Sequence, residues 1–222
     1  MTRRDLFASA AATVFAANTG AGAAAAVSKK TYILVHGAWH GGWCWRYVKE
    51  ALEAAGHTVL TPSLTGLGDR VHLRNPGVNL TTHVTDIVNL FEFEDLNDVI
   101  LVGHSYAGHV VSWVADKAKD RIKHVVYLDA VLPTDGKAFL PPGVGEARVA
   151  DAKDGYLMAK SGMDFLGIPE GHPLYDWVDS RLVEHPLPTL METVVYENDG
   201  PAGLPKTFVR CTQNPRLSLI HI

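Results

Sequence analysis

The chain has 222 residues, 47% hydrophobic and 20% charged, which is enough to bury one sizeable core. Its 20 Lys and Arg nearly balance its 24 Asp and Glu, and no basic block stands out, so nucleic acid is not an expected partner. Cys44 and Cys211 form no metal-ligand spacing and no disulfide framework. We expect two separate thiols and no metal, with a single bridge as the alternative.

Residues 1–26 have the layout of a bacterial signal peptide. Arg3 and Arg4 in "MTRRDLF" precede an alanine-rich run, and an A-x-A-like exit stands at Ala21–Gly22–Ala23. The paired arginines are typical of the twin-arginine export route. A stable membrane span is not expected, because "NTG" interrupts the run short of ~20 apolar residues. We therefore predict an exported protein, periplasmic or secreted, with a disordered alanine-rich tail as the alternative.

After Lys30, short apolar runs alternate with stretches of helical periodicity. "TYILVHG", "TVLTP", "DVILVGH" and "HVVYLDA" predict strands. "WRYVKEALEAAGH", "HVTDIVNLFEFEDL" and "AGHVVSWVADKAKD" predict helices, the first with Trp45, Val48, Leu52 and Ala55 on its apolar face and the second capped by Thr81 or Thr82. This alternation predicts an α/β fold with a doubly wound, mostly parallel sheet.

The alternation stops between residues 132 and 205. This stretch is rich in proline and glycine and carries scattered large apolar residues, too many for a free loop. We predict a helical lid insertion over 132–205, between a first core segment (27–131) and a further core strand, "KTFVRCT", within 206–216.

The segment Gly103-His104-Ser105-Tyr106-Ala107 lies between a predicted strand and a predicted helix and has nucleophile-elbow spacing. Such a turn strains the backbone at the serine and requires small residues two positions away, a need that Ala107 meets. We predict Ser105 as the nucleophile. The alternative is a tight strand–helix turn with an incidental serine.

A second motif, "HGAWHGGWCW", follows the first predicted strand. Acyl transfer needs N–H donors for the negative charge that develops on the carbonyl oxygen. We expect the backbone N–H of Ala38 or Trp39, together with that of Tyr106, to supply them. Trp43 and Trp45 are expected to be packing residues.

The stretches "TYILVHGAWHGGWCW", "LTGLGD" and "VILVGHSYAG" resemble the α/β-hydrolase superfamily, closest to the branch of plant methyl esterases, hydroxynitrile lyases and their bacterial relatives. The resemblance extends from Lys30 to about Thr212, and loosely through the lid. It implies a doubly wound sheet, a Ser-His-Asp triad without metal or cofactor, and an ester or cyanohydrin as the small-molecule substrate.

Two positions compete for the acid of that triad. Asp129 ends the strand after the nucleophile strand, at the edge where sites gather in open α/β sheets. The plant members place the acid after the next strand in a C-T-x-D pattern, where this sequence has Asn214. Asparagine cannot stabilise an imidazolium by charge, so we favour Asp129. Its alternative role is a helix cap or loop anchor.

The histidine expected by resemblance, late in the chain after the last strand, has no convincing candidate. His221 alone comes late enough, and it lies in "LSLIHI". Residues 217–222 correspond to an in-frame translation of CTG TCT CTT ATA CAC ATC, a transposon adaptor used in library preparation. We expect a non-native tail there, with the last strand, its helix and the catalytic histidine missing.

The sequence therefore predicts a serine carboxylesterase for small or medium apolar esters. Without its histidine, the chain as written is expected to be nearly inactive. One alternative is a hydroxynitrile lyase, but we identify no lysine at a matching position of the predicted lid. The other is a binding protein that keeps the pocket without the chemistry. The oligomeric state is left open.

Overall fold

The computed structural model describes residues 28–212. The predicted signal peptide (1–26) and the predicted non-native tail (217–222) lie outside these residues. The strands, in chain order, are β1 (Thr31–Val35), β2 (Thr58–Leu60), β3 (Val99–His104), β4 (Ile122–Leu128), β5 (Leu157–Met158), β6 (His185–Pro186) and β7 (Lys206–Val209).

Five of these strands form one parallel sheet in the order β2-β1-β3-β4-β7. From β1 the chain runs first to β2 on one side and then to β3 on the other. The strand order therefore reverses between β1 and β3, and ligand sites of open α/β sheets gather at the carboxyl ends of strands beside such a point. The predicted doubly wound parallel sheet is confirmed.

Three longer helices cover the sheet: α1 (Arg46–Ala54), α2 (Leu80–Phe93) and α3 (Ala107–Lys117). Helices α2 and α3 share one large core with the sheet. Side chains alternate along each strand, so Ile33 faces this core and Leu34 faces the opposite side. Short 3-10 helices at Gly42–Trp45, Gly68–Leu73 and Lys119–Arg121 fill the connections.

The predicted apolar face of α1 is only partly correct. Trp45 and Leu52 contribute to the smaller core with Leu34, but Val48 is 44% exposed and Ala55 is exposed as well. The helix contacts chiefly β2 and the turn before it. Helical spacing therefore identified an apolar face of which Val48 and Ala55 remain open to solvent.

Helix α2 begins before its predicted caps. Asn79, rather than Thr81 or Thr82, is the N-cap: its side-chain oxygen accepts the Thr82 N–H at 3.0 Å, and the Thr82 hydroxyl accepts the Asn79 N–H at 3.3 Å. This reciprocal pair is a capping box. The predicted buried face is confirmed at Val84, Ile87 and Phe91.

The segment between β4 and β7, where we predict a lid and which is called the lid below, is built from short pieces. It contains α4 (Val144–Ala150), the antiparallel pair β5 and β6, α5 (Tyr175–Asp179) and α6 (Pro188–Met191). Met163, Val178 and Leu182 form a small core of their own against Trp39 and Trp43. The lid therefore packs on the loop that follows β1.

All four residues of β7 are exposed, and within residues 28–212 no strand pairs with its outer edge. Cys44 and Cys211 are both free thiols. The described part of the chain has no helix long and apolar enough to span a membrane.

Candidate active site

Ser105 lies on the sharp turn between β3 and α3, with a φ of 53°. A residue with a Cβ adopts this left-handed conformation only when its surroundings hold it there. Its N–H donates to the Leu128 carbonyl at 3.3 Å, and its carbonyl accepts N–H groups from Gly108 and Val131 at 3.1 and 3.0 Å. Three backbone hydrogen bonds therefore hold the strained turn.

Small residues around Ser105 let the strand and helix approach each other. A Cβ at Gly103 would lie 2.7 Å from Cγ2 of Val111, and a Cβ at Gly108 would lie 2.2 Å from the Val131 carbonyl oxygen. Ala107 fits the position at which a second glycine is common. Sequence reasoning found the need at Gly103 but missed Gly108, although that glycine is visible beside the motif.

The loop after β1 lies directly against this turn. Val35 pairs with Gly103 in the sheet, and a Cβ at Gly37 would lie 3.1 Å from the Ser105 Cβ. The structure therefore brings together the two segments that the sequence singled out, at the carboxyl ends of the neighbouring strands β1 and β3.

Of the three N–H groups expected to bind an oxyanion, that of Trp39 already has an acceptor. It donates to Nδ1 of His185, in the lid, at 3.4 Å. The N–H groups of Ala38 and Tyr106 form no hydrogen bond with any residue of the described range. Ala38 and Tyr106 are thus the two free donors beside Ser105.

His36 fixes the start of this loop. Its Nε2 accepts the Leu64 N–H at 3.0 Å, so Nδ1 carries the proton and donates to the Gly37 carbonyl at 2.8 Å. Complete burial lowers the pKa of His36 to about 3, because desolvation penalises the charged ring. The ring therefore stays neutral and keeps this tautomer near pH 7.

Tyr106 is anchored by a second buried histidine. His83 Nε2 donates to the Thr65 carbonyl at 2.9 Å, so its Nδ1 accepts the Tyr106 hydroxyl at 2.9 Å. Burial lowers the pKa of His83 to about 4 and raises that of Tyr106. Both groups are neutral near pH 7, and they hold the Tyr106 side chain under the turn.

Asp129 directly follows β4. In the chain it lies between Leu128 and Val131, whose backbone groups form hydrogen bonds with Ser105. It is buried, has a φ of 43°, and donates its N–H to the Val209 carbonyl at 2.7 Å. One carboxylate oxygen accepts the Cys211 N–H at 3.3 Å. The other is buried without a partner among the described residues. Burial and the nearby carboxylate raise the pKa of the Cys211 thiol.

None of the histidines within residues 28–212 hydrogen-bonds to the Ser105 hydroxyl. His104 packs edge-on against Trp45, and His109 packs on Phe139 at 5.2 Å. The two remaining sequence candidates, Asn214 for the acid and His221, lie outside the described residues. No cluster of metal-ligating side chains occurs in residues 28–212.

The expected packing roles of the tryptophans are confirmed. Trp45 is 6% exposed in the core beneath α1. Trp43 packs edge-on against Trp177 of the lid, with ring centroids 5.3 Å apart. The contact between Trp43 and Trp177 joins the lid to the loop after β1.

Comparison with known proteins identifies the family of the chain. The profile of the alpha/beta hydrolase family matches residues 32–221. A carbendazim hydrolyzing esterase from Nocardioides sp. (strain SG-4G) is 38% identical over 192 residues, which cover 80% of this chain and 78% of the relative. Methylesterase 1 of Arabidopsis thaliana is 28% identical, over 84% of this chain and 79% of its own.

Among solved structures, an extracellular alpha/beta-hydrolase from a Paenibacillus species superposes with a TM-score of 0.70 at 25% identity. The superposition covers 81% of this chain and 76% of that one. The resemblance to the methyl esterase branch, expected from the motifs around Ser105, is thereby confirmed. The chain is an enzyme that belongs to the alpha/beta hydrolase family.

Proposed function

We propose that the protein is a serine carboxylesterase with Ser105 as its nucleophile. The observation that carries this proposal is the strained turn at Ser105, which holds the half-buried residue beside the free N–H groups of Ala38 and Tyr106. The esterase names of the relatives support the same reaction class.

In the proposed reaction, Ser105 Oγ attacks the carbonyl carbon of an ester while a histidine takes the hydroxyl proton. The N–H groups of Ala38 and Tyr106 donate to the oxyanion. The C–O bond to the alcohol then breaks, and the leaving oxygen takes the proton from the histidine. Water repeats these steps on the acyl-enzyme and releases the acid.

Asp129 is the proposed acid of the triad. An unpaired acceptor in the interior costs about 1–3 kcal/mol, and Asp129 has one such oxygen while the other is held by Cys211. A histidine N–H donating to the open oxygen would remove that cost and orient the imidazole. The position of Asn214 is the competing site for the acid.

We further propose that the histidine is encoded by a native reading frame that differs from this sequence beyond residue 216. The adaptor-like string at 217–222 supports this, together with the lack of a suitable histidine within residues 28–212. The twin-arginine pattern supports export, and the short helices of 132–205 support a lid that covers the substrate.

The proposed substrates are small or medium apolar esters, including methyl esters. Trp39, beside Ala38, packs edge-on against Phe165 of the lid at 6.1 Å, so the loop and lid present apolar surface next to the free donors. The methylesterase name of the plant relative supports a small alcohol group.

The test uses protein expressed from the gene amplified from source DNA. A fluorophosphonate probe should label Ser105, and p-nitrophenyl acetate should be hydrolysed. Ser105→Ala should abolish both, whereas Ser161→Ala, which changes a partly exposed lid serine bonded only to the adjacent Gly162 carbonyl, should change neither.

Other outcomes would replace the proposal. Cyanide release from mandelonitrile without ester turnover would identify a hydroxynitrile lyase. The three lysines of 132–205 argue against this. Lys153 and Lys160 pair with Glu184 and Asp179 at 2.8 and 2.7 Å on the surface, and Lys137 is exposed. A protein that neither labels nor hydrolyses would be a binding protein of the same fold.

A further inference from the structure

Trp39 adopts a conformation that an aromatic residue does not choose by itself. Its φ of 64° is in the left-handed region, which costs about 1–3 kcal/mol and persists where neighbours impose it. Ala38, which precedes it, carries one of the two free donors. Trp39 follows Ala38 directly, so the groups that hold Trp39 also restrict the backbone beside the Ala38 N–H.

The backbone N–H and carbonyl of Trp39 both form hydrogen bonds with the same short segment of the lid. Its carbonyl accepts the Val183 N–H at 3.1 Å, and its N–H donates to Nδ1 of His185 at 3.4 Å. No other part of the described chain forms a hydrogen bond with the Trp39 backbone. The lid thus supplies both hydrogen bonds of the Trp39 backbone, while Nδ1 of His40, within the loop, donates to the Ala38 carbonyl of the same peptide at 2.7 Å.

The proton of His185 is placed by its surroundings. His185 lies in β6 and is fully buried. Its Nε2 is 2.7 Å from the Thr189 hydroxyl, which itself donates to the Pro186 carbonyl at 2.7 Å. That hydroxyl can only accept from the imidazole, so Nε2 carries the proton and Nδ1 is left as the acceptor.

The same ring contacts the other half of the proposed oxyanion hole. The His185 ring packs edge-on against Tyr106 at 5.0 Å and against Trp39 at 6.5 Å. One lid side chain therefore touches the residue that carries one free donor and the residue that adjoins the other.

Resting on the proposed function, we propose that His185 is a positioning residue for the oxyanion hole. By accepting the Trp39 N–H it keeps that peptide in its left-handed conformation and aims the Ala38 N–H at the reacting carbonyl. The lid must be seated for the hole to be formed, so substrate cover and oxyanion binding occur together.

The protonation state of the buried His185 ring agrees with this role. Burial, with smaller contributions from the neighbouring His83 and His36, lowers the pKa of His185 well below its usual range. A neutral ring keeps Nδ1 free to accept. A protonated ring would present a second N–H to the Trp39 N–H and break the contact.

The test compares four variants of the full chain from the native reading frame. His185→Leu removes the acceptor, and His185→Asn restores an acceptor oxygen near the position of Nδ1. Thr189→Val keeps the ring but removes the acceptor of its Nε2–H, together with the contact of Thr189 with the Tyr106 hydroxyl. His172→Leu is the control, because exposed His172 also accepts a backbone N–H, from Leu174 at 3.1 Å, away from Trp39.

His185→Leu should lower kcat about 10- to 100-fold with KM changed less than about 3-fold, because oxyanion donors act in the transition state. Amide hydrogen exchange at Trp39 should become at least about 10-fold faster. His185→Asn should recover kcat to within about 3-fold, Thr189→Val should give an intermediate loss, and His172→Leu should match the wild type.

Unchanged kcat and unchanged Trp39 exchange in His185→Leu would overturn the inference, as would equal losses in His172→Leu. If His185→Leu does not fold, Thr189→Val and His185→Asn decide. The proposed function fails separately, if Ser105→Ala retains ester hydrolysis. In that case Trp39 exchange still shows whether His185 holds the loop, although the loop would not be an oxyanion hole.

Discussion

Gly108 and Val131 are in such close contact that a Cβ on Gly108 would lie 2.2 Å from the Val131 carbonyl oxygen. The N–H of Val131 in turn donates to the Ser105 carbonyl. The first turn of α3, the exit of β4 and the strained serine are therefore linked by one backbone contact. That contact requires glycine because the opposing atom is backbone and cannot rotate away.

Gly108→Ala is expected to be the most damaging single-methyl change near the elbow. The helix or the 129–131 segment must shift, and such overpacking typically costs about 1–3 kcal/mol. The shift would also move Ser105, so esterase activity should fall along with the midpoint of thermal unfolding.

Gly162→Ala is the matched control for this prediction. Gly162 is exposed, a methyl group added there would meet no atom within 4 Å, and its φ is not positive. A circular-dichroism melt should place its midpoint within about 2 °C of the wild type, for a change below ~0.5 kcal/mol. Equal melting of Gly108→Ala and wild type would show that α3 is not locked against Val131.

The sequence was sufficient to predict the sheet and the elbow because both depend on local patterns. Runs such as "DVILVGH" carry their own strand signal, and the small residues around Ser105 report a tight turn wherever the rest of the chain lies. Parallel strands joined by helices then bring Ala38 and Tyr106 to the same edge without any knowledge of long-range contacts.

The lid contacts could not be predicted in the same way. His185 and Trp39 are 146 residues apart, and no periodicity in 132–205 indicates which lid side chain meets the loop. The predicted burial of Val48 was wrong for a related reason. Helical spacing identifies an apolar face, but it does not show whether another element covers that face. Sequence reasoning assigned the cap of α2 to Thr81 or Thr82, and only the structure shows Asn79 in that role, with its reciprocal bond to Thr82.

Asp129→Asn should reduce esterase activity without loss of stability. The carboxylate has one buried oxygen that lacks a partner in residues 28–212, so a neutral amide relieves a desolvated charge while its oxygen can still accept the Cys211 N–H. In the 222-residue chain the free energy of unfolding in urea should stay the same or rise by about 1 kcal/mol. In the protein from the native reading frame, kcat should fall by at least about 100-fold.

Asp116→Asn is the contrasting substitution. The buried Asp116 carboxylate accepts backbone N–H groups from Glu197, Asn198 and Gly200 at 2.7–2.8 Å. Burial acts to raise its pKa, but these donors outweigh it and the pKa is lowered. The variant should lose about 2 kcal/mol and keep its activity per folded molecule. Stability loss in Asp129→Asn of the same size would assign Asp129 a purely structural role.

The stability that Asp116 contributes should depend on pH in a defined direction. A carboxylate whose folded pKa is lowered contributes fully above its unfolded pKa of ~3.9, and the contribution disappears as pH falls through the folded value. The difference in unfolding free energy between wild type and Asp116→Asn should therefore be constant from pH 7 to about 5 and shrink below about 4.

Six largely buried histidines should make the protein sensitive to mild acid. Burial is the main cause that lowers the pKa of His36 to about 3, those of His83, His104 and His109 to about 4, and those of His40 and His185 below their usual range. Below the unfolded value of ~6.5 the unfolded chain binds protons that the folded chain excludes. Stability should be complete above pH 6.5 and fall steadily toward pH 4.

Urea midpoints measured at pH 7.5, 6 and 5 test this dependence. His109→Gln should make the decline between pH 6 and 5 shallower by about one proton, or ~1.4 kcal/mol per pH unit. His72→Gln, at an exposed position, should leave the decline as in the wild type. A midpoint that does not change between pH 7.5 and 5 would mean that these rings are protonated in the folded protein.

The native reading frame should restore the outer edge of the sheet as well as activity. In the described residues β7 is exposed at all four positions, and Val209 is 42% exposed, so an open strand edge is available for intermolecular pairing.

Sequencing the gene from source DNA should reveal codons other than the adaptor-like string after residue 216, including one for histidine. The protein from that frame should remain monodisperse in light scattering at concentrations where the 222-residue chain associates, and only it should turn over p-nitrophenyl acetate above the residual rate. A stop codon directly after Ile222 in the source DNA, or equal turnover by both proteins, would rule out this origin of the histidine and return the search for the base to residues 28–212.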